Sequence, residues 1–127
     1  PHVVVPVDDL GAIAIAEIGR AIRFHPLFQP AGTNVNFISL TGPQELAIRT
    51  YERGVEGETL ACGTGSVAAA LIAAQVHQIP SPITVHPKSG ETLKIYFTRQ
   101  HGSFGSVFLE GEAMVVFQGE VWLDELL

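Results

Sequence analysis

The feature that most constrains the fold is a run of eight apolar residues, Val67 to Ala74, inside a helical stretch from Ser66 to Gln78. A surface helix carries polar residues every few positions, so that one face meets water. This stretch is apolar all round and built mostly of small side chains, so burial on every side is expected. Its thirteen residues are too few to cross a bilayer, so the burial must be inside protein. The expectation is a central helix enclosed by other elements, with the single cysteine, Cys62, at its N-terminal end.

That end suits a reactive thiol. The first N–H groups of a helix lack intrahelical partners and carry partial positive charge. A sulfur held there is favoured as thiolate. Gly63 and Gly65 flank Thr64 and have no Cβ, so the backbone can approach a ligand and offer its N–H groups to a carboxylate. The plain alternative is a buried structural cysteine beside a tight turn.

Composition narrows the class. At 127 residues and 46% hydrophobic content, the chain is expected to form one domain with a real core. Seven basic against thirteen acidic residues give a net charge of −6, which argues against nucleic acid and anionic membrane as partners. One cysteine rules out an internal disulfide framework and fits a reducing, cytoplasmic compartment. No secretory signal or internal repeat is visible. The chain begins Pro1-His2 without a methionine, and the expectation is that a front segment has been removed or lies elsewhere.

Taken in order, Pro1 to Val7 reads as a strand. Asp9 is the expected N-cap of a helix over Ile13 to Phe24, with Ile15, Ile18, Ala21 and Ile22 as its apolar stripe. Gly19 weakens that helix, and His25-Pro26 ends it. Leu27 to Gly32 reads as a loop. Thr33 to Leu40 is a strand with Val35 and Phe37 on one face and Asn34, Asn36, Ile38 and Leu40 on the other. Two asparagines on an apolar face are unusual, although edge or turn positions would account for them.

Glu45 to Arg53 is the next strand. A covered Glu52 at its end needs a partner; a surface ion pair with Arg53 is the plain reading. Pro80 and Pro82 stop the central helix. Strands follow at Ile83 to His86, Glu91 to Arg99, Ser106 to Glu110, Ala113 to Phe117 and Val121 to Leu123, with a long turn at His101 to Gly105. Gly111 and Gly119 stand where bulges or bends are expected. The sum is eight short strands and two helices. The expected fold is α+β, a curved antiparallel sheet or barrel wrapped around the apolar helix, with one outer helix.

The chemistry-bearing residues point away from metal. His25, His77, His86 and His101 have no i,i+4 pairing and no Cys-x-x-Cys companion. Gly63-Thr-Gly65 lacks the Lys-Ser/Thr of a phosphate loop, and Ser66 lacks a nucleophile-elbow context. Nucleophilic catalysis by Cys62, with His2 as base, stays open. Against it stands Glu52-Arg53. A carboxylate and a guanidinium beside an anion-binding helix tip suit a zwitterion: Glu for an ammonium, the tip and Arg for carboxylates. Strict alternation sends Glu52 and Arg53 to opposite faces, so both reach one ligand only if the strand ends or bulges there.

Thr50-Tyr-Glu-Arg-Gly together with Glu58-Thr-Leu-Ala-Cys-Gly-Thr-Gly resembles the second-domain signature of the diaminopimelate epimerase family. Pro1-His2-Val-Val resembles its Asn-Pro-His-x-Val opening, without the asparagine, and Asn34-Val-Asn-Phe its substrate-binding asparagine strand. The likeness runs in order over essentially the whole chain.

The resemblance implies a cofactor-independent epimerase that interconverts LL- and meso-diaminopimelate for lysine and peptidoglycan synthesis, without pyridoxal phosphate or metal. Two cysteines, one per domain, exchange a proton at Cα from opposite faces. Carried over by resemblance, Cys62 is one acid/base thiol. Gly63 and Thr64 bind the reacting carboxylate. Glu52 holds the α-ammonium and, with His2, tunes the thiols. Arg53 and Asn34 fix the distal amino-acid end. The resemblance further implies a homodimer.

Only the second of the family's two domains is represented. The expectation is therefore one domain over residues 1–127, a first domain and its cysteine supplied from elsewhere, and an isolated chain that cannot epimerise. Alternatives are a proline-racemase-like enzyme of the same fold, or a ligand-binding or structural domain with one buried thiol.

Overall fold

In the computed structural model, which describes residues 1–123, an Ala-rich helix lies in the hollow of a curled mixed sheet. In chain order the elements are β1 (His2–Pro6), α1 (Ile15–Arg23), a 3₁₀ turn (Pro26–Phe28), β2 (Asn34–Gly42), β3 (Glu45–Glu52), β4 (Gly57–Thr59), α2 (Gly63–His77), β5 (Ile83–His86), β6 (Leu93–Gln100) and β7 (Ser103–Glu110). The strand order is β1-β2-β3-β5-β6-β7, with β4 also on β3. Helix α2 packs against β1, β2, β3, β5, β6 and β7, which is possible only because the sheet curves around it. No helix among the described residues is long and apolar enough to cross a membrane.

The α+β class and the sheet around a central helix stand as expected; the strand directions differ. β1 runs parallel to β2, and β3 parallel to β5. Parallel neighbours cannot be joined by a tight turn and need a long crossover. Helix α1 makes the first crossover and α2 the second, and the two helices pack into separate clusters on opposite faces of the sheet. Alternation within a strand reports its faces but not its direction, so the sequence could not show this.

The inner face buries Ile38, Leu46, Ile48, Ile83, Val85 and Ile95 against Ala69, Ala70, Ala73 and Ala74. Each large side chain removed from water contributes about 2 kcal/mol. The methyl side chains of α2 let its backbone lie close to the sheet. The outer face buries Val35, Phe37 and Tyr51 against Ile15. Gly19 of α1 sits directly on Tyr51: a Cβ there would stand 2.5 Å from Tyr51 Cβ. That contact, rather than helix propensity, explains the glycine.

Several local expectations are corrected. Helix α1 starts at Ile15, not Ile13, and Ala14 is its N-cap, with no side-chain capping bond. Asp9 instead accepts from Gly11 N at 2.8 Å in a local turn. Helix α2 starts at Gly63, three residues before the apolar run suggests. The three-residue β4 was not anticipated. The long turn at His101 shortens to His101-Gly102, both at positive φ, and β7 begins at Ser103. The register shifts lie at Leu40/Gly42 and Tyr96/Thr98, not at Gly111 or Gly119.

No strand forms at Ala113 to Phe117 or at Val121 to Leu123. Alternating apolar residues are there, but a strand also needs a neighbour for its backbone groups, and these residues pair with none of the described strands. Val115, Val116 and Trp122 remain 89%, 86% and 78% exposed. Nor is α2 buried on every side. Ala69, Ala70, Ala73 and Ala74 are covered, while Ile72 and Val76 are 43% and 61% exposed. The helix has two apolar sides, and the described residues cover one.

Candidate active site

Cys62 occupies the N-cap of α2 in extended conformation, φ −139° and ψ 107°. Its carbonyl accepts the first helical bond, from Ser66 N at 2.9 Å, and a second from Ser66 Oγ at 3.0 Å. No side chain caps the helix. The N–H groups of Gly63, Thr64 and Gly65 therefore have no intrahelical acceptor, and the helix dipole adds positive charge there. Gly63 and Thr64 are exposed and the thiol is half-buried. Sγ lies 3.7 Å from Thr64 Oγ1. A thiol and a turn whose free N–H groups could hold an anion thus share one spot.

His2, at the start of β1, faces the same turn. With Gly63, Thr64, Val67, Ala68, Leu71 and Leu109 it lines an apolar cleft of about 550 Å³ along the uncovered side of α2. The His2 imidazole is held below its ordinary range, first by burial and also by Arg53, against an opposing pull from Glu52. Both Glu52 and Arg53 are therefore within electrostatic reach of His2.

The alternation problem at Glu52 and Arg53 is resolved by the strand's end. β3 stops at Glu52, and Gly54, at φ +92°, turns the chain away in a conformation that glycine adopts without strain. Glu52 keeps the parity of Leu46, Ile48 and Thr50, whose side chains face α2. Arg53 lies past the strand and is released from its register. Its backbone N–H donates to Asn34 Oδ1 at 2.7 Å, and its Nη1 donates to the Ala31 carbonyl at 2.7 Å. Asn34 is the register partner of His2. Asn34 and Arg53 thus form one bonded unit, and the asparagine's oxygen is already used.

All seven residues singled out in the sequence, His2, Asn34, Glu52, Arg53, Cys62, Gly63 and Thr64, gather at the N-terminal end of α2 or at the strand ends beside it. Two further polar residues, to which the sequence assigns no site role, lie beside them. Asn36 is fully buried and Thr50 nearly so, and Thr50 Oγ1 donates to Asn36 Oδ1 at 2.9 Å. Thr59 lies opposite Thr50 on β4, and its buried Oγ1 has no partner among the described residues. Asn36, Thr50 and Thr59 thus form a polar row across three strands. The clue is the amide in an otherwise apolar alternation, for which edge or turn positions are the competing explanation.

Beneath the site, Arg49 binds Glu58 through Nε and Nη2 at 2.7 and 2.9 Å, and Lys88 adds a bond of 3.0 Å. These contacts tie β4 to β3 and so anchor the segment that leads to Cys62. The Arg49 hydrogen bonds, helped by Lys88, hold the Glu58 carboxyl below its ordinary range despite burial.

A sheet curled around an apolar helix is the architecture of the epimerase-like fold. A predicted epimerase from Pseudomonas aeruginosa superposes with a TM-score of 0.57 at 19% identity, over 80% of this chain and 34% of that one. A Bacillus anthracis phenazine biosynthesis protein of the PhzF family gives 0.59 at 18% identity, over 87% and 34%. Sequence narrows the class further: the diaminopimelate epimerase family matches residues 1–116, and the chain belongs to that family.

Diaminopimelate epimerases of Aquifex aeolicus and Chlorobaculum tepidum are 46% and 44% identical to it, over 95% and 97% of this chain. That of a Hydrogenobaculum species is 48% identical over 94%. The chain spans 43%, 47% and 42% of those three relatives, less than half of each.

Proposed function

We propose that this chain is the second domain of a cofactor-independent diaminopimelate epimerase and contributes one of its two acid/base thiols. The observation that carries the reading is the position of Cys62: a half-buried sulfur on an uncapped helix tip, with His2 beside the same turn and Glu52 and Arg53 within electrostatic reach of that histidine. An amino-acid Cα–H is very weakly acidic, so its removal needs a stabilised carbanion. The Gly63 and Thr64 amides bind the reacting carboxylate, into which the carbanion's electron pair delocalises. Glu52 holds the α-ammonium. Arg53, braced by Asn34, meets the distal end of a substrate that carries a second amino-acid group.

The Cys62 thiolate takes the α-proton: the C–H bond breaks, an S–H bond forms, and the electron pair stays on the substrate. A second thiol returns a proton to the opposite face, and the reverse reaction exchanges the roles. These 127 residues contain one cysteine, so the second thiol comes from outside them. The open apolar side of α2 and the cleft at its tip support a further domain closing over the site and excluding water.

The test compares this chain alone, the complementary first half of a family member, and their mixture. Exchange of the diaminopimelate α-hydrogen in D₂O is followed by NMR. Exchange and epimerisation are expected in the mixture only. Turnover by the single chain would overturn the two-thiol reading, and an inactive but properly assembled mixture would overturn the substrate assignment. A racemase of the same fold acting on another amino acid is the competing reading, which a substrate panel on the full-length protein separates. The same proposal puts the enzyme in the cytoplasm as a homodimer, which fractionation and light scattering of the full-length protein check.

A further inference from the structure

The buried carboxamide of Asn36 makes contacts that fix its orientation. Its amide nitrogen lies 3.1 Å from the Val3 carbonyl oxygen, which can only accept. That nitrogen must therefore be the NH₂ group, and the other end the oxygen. The oxygen accepts from Thr50 Oγ1. The same NH₂ lies 3.3 Å from His2 Nδ1. With one hydrogen committed to Val3, the other points at the imidazole. A ring nitrogen facing an N–H donor must present a lone pair.

We propose that Asn36 is a positioning residue that fixes the His2 ring in the tautomer carrying its proton on Nε2, so that histidine serves the site as a hydrogen-bond donor and not as a base. The inference deepens the reading above and rests on it for the meaning of the site, although the tautomer itself does not. A base would need a bare ring nitrogen aimed at the reacting atoms, and here the bare nitrogen is turned inward to the Asn36 amide. Nε2–H is then the group left to donate beside the helix tip, where Gly63 and Thr64 offer further donors. It joins the donors for substrate anionic charge and leaves proton transfer to the thiols.

The charged groups around the ring act in the same sense or against it in a definite order. Burial and Arg53 favour the uncharged ring, while Glu52 favours the imidazolium. Protonation at Nδ1 would in addition set two donors against each other at the Asn36 contact. Gly65 keeps the arrangement in place, because its missing Cβ leaves room for the Asn36 carboxamide under the first turn of α2.

Long-range ¹H–¹⁵N NMR of the protein, ¹⁵N-labelled at histidine, reads both ring nitrogens of His2 directly. The expected spectrum at neutral pH shows Nδ1 as the bare nitrogen and Nε2 as the protonated one, as a single tautomer. A protonated Nδ1, or an averaged mixture, overturns the proposal. In Asn36→Ser the short hydroxyl withdraws the amide. The two tautomers should then mix and the titration midpoint of His2 should rise; an unchanged tautomer and midpoint in a folded variant also count against it. Should the variant fail to fold, the wild-type spectrum decides alone. The readout needs no activity, so a wrong tautomer and a wrong substrate assignment are told apart.

Discussion

Gly65 and Asn36 meet at the limit of contact: a Cβ on Gly65 would stand 3.3 Å from Asn36 Cγ, closer still to its Oδ1, and 3.2 Å from Cys62 Sγ. One missing methyl group thus lets the first turn of α2 close on the polar row of the sheet while keeping the sulfur beside it. Asn36 is fully buried and bonded on both sides, so it cannot swing away without leaving a polar group unpaired.

Gly65→Ala is accordingly expected to destabilise the domain by about 1–3 kcal/mol, the range for overpacking a filled interior, and to alter the reaction of Cys62 with a thiol reagent. Urea unfolding and labelling kinetics measure the two effects. Gly63→Ala is the control. Its Cβ meets only Leu109 Cδ1 at 3.6 Å, an ordinary contact, and helix propensity makes it neutral or stabilising by up to about 1 kcal/mol.

Gly19→Ala sets propensity against packing. Alanine in a helix interior gains about 1 kcal/mol over glycine. Here its Cβ would fall 2.5 Å from Tyr51 Cβ and 2.8 Å from Tyr51 Cγ. Tyr51 is buried in the outer cluster, and forcing it aside costs about 1–3 kcal/mol. The net change should be a lower Tm by calorimetry; a rise would show that α1 can lift off the sheet freely.

Acid should loosen the segment before the thiol. The Glu58 carboxyl is depressed below 4.5, chiefly by the Arg49 hydrogen bonds. A group depressed in the folded state contributes stability above its unfolded value and loses it as pH falls through the folded one. Wild-type stability should therefore decline with pH below about 5. Glu58→Gln should be less stable at neutral pH, by about 1–3 kcal/mol for charged hydrogen bonds half out of water, with a flatter acid limb. Urea midpoints at several pH values give both curves, and parallel curves would remove Glu58 from the explanation.

Cys62→Ser, placed in the full-length protein, should lower turnover by about 10²–10⁴-fold, the usual worth of a positioned acid/base group. Stability should change by no more than about 0.5 kcal/mol, because the sulfur is only half-buried. Glu52→Gln should raise KM for the amino-acid substrate if, as proposed, that charge holds the α-ammonium. Steady-state kinetics with matched unfolding curves separate these from loss of fold.

Part of the candidate site is legible in the sequence. Cys62, Gly63 and Thr64 were legible because a helix start, a thiol and a glycine-spaced turn are adjacent in the chain. Glu52 and Arg53 were legible as residue types, but their union at one end of the sheet depends on where β3 stops. Asn36 stands out in the sequence as an oddity, but its alternation leaves an edge or turn position open beside a buried one. Its burial depends on β1 and α2 arriving from distant parts of the chain.

By itself the sequence determined what is local: which faces of each strand are apolar, where the helices fall within a few residues, and which side chains carry charge or a thiol. Those follow from periodicity and residue chemistry over a few turns. Only the tertiary structure decided the strand directions, the split of the two helices to opposite faces, and the meeting of His2 with Asn36 across 33 intervening residues. These rest on long crossovers and on contacts between distant residues, and no short stretch of chain encodes such distances. The same holds for α2: its composition demanded cover on both sides, and the fold shows which side these residues supply.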